Sequence, residues 1–340
     1  MKELHLICEA HLDPVWLWEW EEGASAAVST FQSAANLADQ FDYIFCHNEV
    51  SLYKYIADYA PDLFEKIKQL IKAGQWHVIG GWYLQPDANM PSGESFIRHA
   101  QVGHKYFMDN FGENPTTALN FDSFGHTRGL VQIIKKCGQD SYICVRPFGW
   151  ELALPDDFFW WEGFDGSKIK AFRSPTYNST YFGCAKGHCQ GVKGGHEDRE
   201  IWMCLWGVGN HGGGPSRKDL ADIKEWMETD KECKIIHSTP EEFFKQWTGI
   251  LILLVPSEQF EKGDKTESTL SRFFKMLLPQ KKLLFDIFLA SLVYTILGVG
   301  ASFYFKVMMD DIVPNGLEKT LHVVSVGVIL LYLFQTLLGA

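Results

Sequence analysis

Along the first 246 residues, short apolar strand-like segments alternate with helix-like ones, and this alternation narrows the possible folds more than any other feature. Strand-like stretches fall at 4–10, 43–46, 76–80, 117–121, 142–145 and 201–206; helix-like ones fall at 24–40, 52–59, 63–73, 93–111 and 129–136. Gly74 and Gly138 stand where helix-ending glycines belong. Repeated β–α order predicts an α/β fold with a mostly parallel sheet between helices. In such sheets the chemistry collects beyond the carboxyl ends of the strands. The polar residues just after each strand are therefore the ones to inspect: His11 and Asp13, His47 to Glu49, Trp82 and Asp87, Asp122 and His126, Asn210 and His211.

The rest of the chain has a different composition. Residues 247–340 hold eight basic and eight acidic side chains, so the whole net charge of −11 lies in the first 246 residues, with all eight Cys and eleven of the twelve His. Such an acidic balance excludes a phosphate-binding, nucleic-acid-directed surface. Uncharged runs of 19 residues at 287–305 and 18 residues at 323–340 predict a transmembrane α-helical hairpin over 283–340. Arg272, Lys275, Lys281 and Lys282 precede the first run, which would place that side in the cytoplasm of a cell whose inner membrane holds the hairpin. The second run reaches the chain's last residue, which suggests truncation. The first half begins without an apolar signal core and reads as cytoplasmic. Its thiols read as reduced and structural, although Cys184 and Cys189 beside His188 offer a possible metal clip.

Three segments carry candidate chemistry. His11 and Asp13 are two apart in extended backbone, so both side chains share a face, and Pro14 keeps Asp13 extended. An imidazole and a carboxylate suit zinc, while a surface His beside a capping Asp fits the same letters. Asp122 stands at a strand end, as a second acidic group or as the N-cap of the next helix. The glycine-dense loop Gly207–Pro215 follows an apolar strand and lacks the Gly-Lys-Ser/Thr ending of a phosphate loop. Asp87 after Pro86 suits either a substrate hydroxyl or a turn.

Together, His11-Leu-Asp-Pro-Val-Trp-Leu-Trp18, Gly80-Gly-Trp-Tyr-Leu-Gln-Pro-Asp87 with Asn89, Asn120–His126 with Gly129-Leu-Val-Gln-Ile, and Gly207–Pro215 resemble the family 38 glycoside hydrolases, the retaining, zinc-dependent α-mannosidases. The resemblance covers about residues 4–246. It implies a β/α domain like a seven-stranded barrel acting on an α-mannoside oligosaccharide. It makes His11, Asp13 and Asp122 ligands of Zn2+, with Asp122 also the nucleophile and Trp16 an apolar floor under the sugar. Relatives often carry Asp where this loop reads Asn210-His211, which leaves His211 as acid/base or aglycone contact and Asn210 as a substrate contact. Asp87 would hold substrate hydroxyls. The family's further zinc-binding His has no counterpart here: the one later His is His322. A zinc or sugar binder without turnover is the competing reading.

The stretch Trp247–Lys262, the basic approach to the first apolar run and Phe305–Gly316 resemble peptidase-containing bacteriocin exporters of the ATP-binding-cassette type. The implied organisation is a truncated catalytic domain at 1–246, a peptidase-domain remnant and linker at 247–282, and two membrane helices at 283–340. No GxxxxGK[ST] occurs, and the peptidase Cys and His are missing, so neither ATP hydrolysis nor cleavage is expected of this part. Two unrelated resemblances in one chain suggest a chimeric or misassembled reading frame; an exporter membrane fragment whose first half is inert is a second alternative to the mannosidase reading.

Overall fold

A computed structural model describes residues 2–154, 156–179, 181–195, 199–209, 213–247 and 281–339. The chain divides into two compact units, Met1–Leu254 and Val255–Ala340.

The first unit is built around β1 (Lys2–Cys8), buried from Leu4 onward as a central parallel strand must be. β8 (Ile201–Trp206) runs parallel along one edge over Glu3–Cys8. The other edge is shared by β9 (Cys233–His237) over Lys2–Leu6 and β2 (Phe45–His47) at Cys8, and β3 (Trp76–Val78) continues from β2. A second sheet has the order β4 (Thr117–Asn120), β5 (Ser141–Cys144), β7 (Lys168–Arg173), β6 (Phe158–Glu162), all parallel except β6. Gly80 N donates to Thr117 O at 2.9 Å and joins the end of β3 to the start of β4. The described strands thus form an α/β fold in two abutting, mostly parallel sheets rather than the single seven-stranded ring expected.

Helices α1 (Trp20–Ala38), α2 (Val50–Tyr59), α3 (Pro61–Lys72), α4 (Gly93–Phe111), α5 (Gly129–Lys136), α6 (Ala185–Gly194), α7 (Arg217–Thr229) and α8 (Pro240–Gln246) connect these strands. The expected helices at 93–111 and 129–136 and the strand at 201–206 recur with the same ends. α4 is fixed at both ends by local chemistry: Ser92 Oγ accepts from Ser95 N, and Gly112 takes the left-handed φ of 72° that ends the helix. Phe31, fully buried, sets its ring edge-on against Phe45, Tyr53 and Trp76, which locks α1 and α2 onto β2 and β3.

The second unit holds α9 (Lys281–Val307), a π-helical turn (Met308–Ile312) and α10 (Glu318–Gly339). Tyr304 Oη and Ser325 Oγ lie 3.0 Å apart, so the two helices form a hairpin. Among the described residues no helix is long and apolar enough to cross a membrane. The transmembrane reading of 283–340, and a place in the inner membrane with it, is therefore not supported. Asp286 and Lys306 bracket the uncharged stretch of α9, and α10 carries His322 and Thr336, which bond to Glu318 O and Tyr332 O of their own helix. Residues 248–280, expected to hold the peptidase remnant and linker, lie outside the described residues.

Candidate active site

The loops that follow β1, β3, β4, β5 and β7 meet around a cavity of about 500 Å3. Its wall includes His11, Asp13, Trp16, Gln85, Asp122 and Arg146, and Asp87 and Tyr177 reach it as well. His11 is buried, with its ring 4.7 Å from that of Tyr177 and 6.3 Å from Phe121. Its Nε2 lies 3.4 Å from Asp13 Oδ1 and makes no hydrogen bond among the described residues. Burial alone would depress the imidazole's pKa. Contact with Asp13 and the charges of Glu49 and Asp122 outweigh burial and raise it. The surroundings of His11 therefore favour positive charge.

Gln85 ties these loops together. Its Oε1 accepts from Phe121 N at 2.7 Å, and its Nε2 faces Asn48 Oδ1 at 3.4 Å and His11 Nδ1 at 3.5 Å. Its own backbone N donates to Glu49 Oε1 at 2.9 Å. Glu49 adopts φ 68°, uncommon for a side-chain-bearing residue, and burial pushes its carboxyl up to about 7. Glu9, buried with neither carboxyl oxygen bonded among the described residues, is pushed well up by burial alone. The Gln85 loop keeps its course because α4 comes unusually close: a Cβ on Gly103 would lie 2.0 Å from Gly81 O.

Asp122 Oδ1 accepts from Arg146 Nε at 2.5 Å. The Arg146 guanidinium sits between the rings of Phe124 and Phe148, 5.4 and 5.0 Å from their centroids. His126 braces the same loop, with Nε2 2.9 Å from Arg146 O and Nδ1 3.4 Å from Tyr142 Oη, and so plays a supporting part. Asp87 Oδ1 accepts from Asn89 N at 2.8 Å and Met90 N at 3.3 Å, which makes it a turn residue on the cavity's wall. Trp16 is 61% exposed and free to present a face to a ligand. Asn210 and His211 lie outside the described residues. The base of their loop is closed by Val208 and Gly214, each donating to the other's carbonyl.

The structure thus gathers His11, Asp13, Asp122, Trp16 and Asp87 on one cavity, but only His11 and Asp13 approach as a pair of metal donors would. Among the described residues no three His, Cys, Asp or Glu side chains are placed to hold a metal ion. The unbonded nitrogen of His11 and the carboxylate of Asp13 fit zinc in kind. Asp122, expected to be the third ligand, is bonded through Oδ1 to Arg146. The alternative clip at Cys184 and Cys189 is not formed either: Cys189 Sγ faces Cys204 Sγ at 3.3 Å. Gln85, Arg146 and Tyr177 were not singled out from the sequence. Inspecting each loop beyond its strand end finds Arg146 two residues after β5 and Tyr177 four after β7.

Residues 1–260 match the family model described as the glycosyl hydrolases family 38 N-terminal domain. This chain belongs to glycosyl hydrolase family 38. It is 31% identical over 246 residues to Alpha-mannosidase G of Dictyostelium discoideum, a match covering 69% of this chain and 22% of that protein. The structure of an alpha-mannosidase from Enterococcus faecalis V583 superposes with a TM-score of 0.62 at 19% identity, covering 72% of this chain and 29% of that one. The chain therefore spans about a quarter of the length of these mannosidases. The C-terminal third is homologous to peptidase-containing bacteriocin exporters. The Lactococcin-G-processing and transport ATP-binding protein LagD of Lactococcus lactis is 37% identical over 112 residues, covering 33% of this chain and 14% of that protein.

Proposed function

We propose that the family 38 domain, taken as residues 1–246, hydrolyses α-mannosides with retention of configuration. The observation that carries this reading is the strand-end cavity in which Asp122, held by Arg146, shares a wall with the His11–Asp13 pair. Asp122 attacks the anomeric carbon and forms a covalent glycosyl-enzyme; a second group protonates the leaving oxygen and later activates water. Arg146 aims the carboxylate by a charge-assisted bond and keeps it from swinging toward Asp13. Trp16 receives the apolar face of the sugar, and Asp87 and Asn210 contact its hydroxyls. His211 is the proposed acid/base, by its place in the glycine loop. His11 and Asp13 would hold zinc, with Asp122 beside them. Zinc bound there supplies a Lewis-acidic anchor for sugar hydroxyls.

The exporter-like third supplies no catalytic group to this scheme. Any membrane attachment of the chain would come from its 283–340 hairpin, and the enzymatic unit, with its free thiols, is assigned to the cytoplasm.

The test is turnover of an aryl α-mannoside by the full chain supplied with zinc. Asp122→Ala is expected to abolish it. Full activity in Asp122→Ala would overturn the assignment, and zinc uptake without turnover by the unaltered chain would support a binding role instead.

A further inference from the structure

α6 (Ala185–Gly194) is a weakly held helix. Of its ten residues it buries only Ala185 and Cys189, and Gly187, Gly191 and Gly194 fall within it. A Cβ at any of these three would meet nothing within 4 Å, so no close approach calls for a glycine there. Each lowers helix stability without any gain in packing. Few buried side chains and low propensity mark a segment that opens locally.

Beneath this helix lies a pair of sulfurs. Cys189 Sγ and Cys204 Sγ, of β8, are 3.3 Å apart, and both side chains are buried. A disulfide bond is about 2.05 Å long, so an approach of about 1.3 Å would close one. His188 donates from Nε2 to Leu205 O at 3.1 Å, which lays its ring along the end of β8 beside Cys204.

The two thiols are not alike. Burial pushes Cys204 up, but bonds from Cys189 and His188 and the charge of His188 outweigh it and bring it down to about 6. Cys189 is pushed well up by burial and by its bond to Cys204. Burial also pushes up Cys8, Cys46, Cys137, Cys144 and Cys233. Of these seven, Cys204 alone is held as the nucleophilic thiolate near neutral pH, and a second thiol touches it.

We propose that Cys189 and Cys204 are a peroxide-reactive pair that closes a reversible disulfide between α6 and β8, with His188 as the charge partner of Cys204. Hydrogen peroxide reaches the pair when α6 opens. Cys204 Sγ attacks one peroxide oxygen; the O–O bond breaks, and the departing hydroxide takes a proton from His188 and leaves as water. The sulfur is then a sulfenic acid. Cys189 Sγ attacks it, the S–O bond breaks, and hydroxide leaves with the Cys189 proton as a second water. Two thiols are oxidised to one disulfide, and one peroxide is reduced to two waters. A transient disulfide of this kind is compatible with a reducing compartment. The link fastens α6, which follows the loop carrying Tyr177, to the strand that leads into the glycine loop.

The test treats the reduced full chain with about a tenfold excess of hydrogen peroxide, quenches with N-ethylmaleimide and maps the peptides without reduction. A Cys189–Cys204 link is expected, formed while the far-UV circular dichroism is unchanged and removed by dithiothreitol. Cys189→Ser should stop at a Cys204 sulfenic acid that dimedone captures, and Cys204→Ser should leave Cys189 unoxidised. His188→Gln is expected to slow the link at least about tenfold at neutral pH, whereas a merely loosened helix would speed it. Gly187→Ala combined with Gly191→Ala should also slow it about tenfold, by holding α6 closed. A link between other cysteines, a link formed only in urea, or the unaltered rate in His188→Gln or in the glycine double variant would overturn the proposal.

Discussion

Gln85→Met keeps the length of the side chain and removes its polar end, which isolates what that amide does. The backbone bond from Gln85 N to Glu49 Oε1 survives, as it does not involve the amide. The bond that Phe121 N donates to Gln85 Oε1 at 2.7 Å is lost, and Phe121 is fully buried, so that N–H is left without a partner. An unsatisfied buried donor costs about 1–3 kcal/mol. The contacts of Nε2 at 3.4 and 3.5 Å are near the limit of hydrogen bonding and add little. In a domain of this size each kcal/mol moves Tm by about 2–4 °C, so the expected fall is roughly 2–12 °C by calorimetry. Activity is expected to fall further than stability accounts for. Phe121 precedes Asp122 directly, and a shift of about 1 Å in a reacting group can cost up to about a hundredfold. We expect kcat/KM on an aryl α-mannoside to drop at least about tenfold at temperatures where the variant is fully folded. A Tm within about 1 °C of the unaltered chain, together with unchanged kcat/KM, would refute the role given to Gln85.

Gly103→Ala would set a methyl group 2.0 Å from Gly81 O and 2.8 Å from Trp82 C, so α4 must move off the Gln85 loop. Denaturant titration is expected to show a loss of about 3 kcal/mol or more, despite the roughly 1 kcal/mol gain in helix propensity. Gly187→Ala in α6, where a Cβ meets open space, should instead be neutral or slightly stabilising. His77 Nε2 lies 2.9 Å from Glu241 Oε2; burial lowers this imidazole's pKa, but the bond and charge of Glu241 outweigh it, and the net shift is upward. A raised folded pKa means stability fully present below the unfolded value of about 6.5 and lost as pH rises through the folded one. The Tm of the unaltered chain should thus fall from pH 6 toward pH 8 by more than that of Glu241→Gln, and parallel profiles would contradict the assignment.

Much of the architecture was legible because it is written in short-range patterns. α4 announces itself by Ser92, a helical apolar stripe and Gly112, and its ends match the sequence reading. The strand-end rule led to His11, Asp13, Asp87 and Asp122 because a parallel sheet delivers every such loop to the same side. Other features are encoded by contacts far apart in the chain. β6 reads Phe158-Phe-Trp-Trp-Glu, a run with no alternation, and it becomes an antiparallel edge only through its pairing with β7. The Arg146–Asp122 pair spans 24 positions and no local spacing marks it, so the sequence offers Asp122 as a candidate but not its guanidinium partner. The apolar runs near the C-terminus correctly announced two helices, but apolarity alone does not distinguish a membrane span from a hairpin of another kind.

The central claim is that Asp122 is the nucleophile, and trapping the sugar on the protein tests it most directly. The full chain is incubated with a 2-deoxy-2-fluoro-mannosyl fluoride, whose fluorine slows breakdown of a glycosyl-enzyme, and the peptides are mapped by mass spectrometry. We predict one 2-deoxy-2-fluoro-mannosyl ester, on Asp122, formed with loss of the anomeric fluoride and absent from Asp122→Ala. An adduct on another carboxylate, or substrate turnover with no adduct and inverted product configuration, would contradict the account.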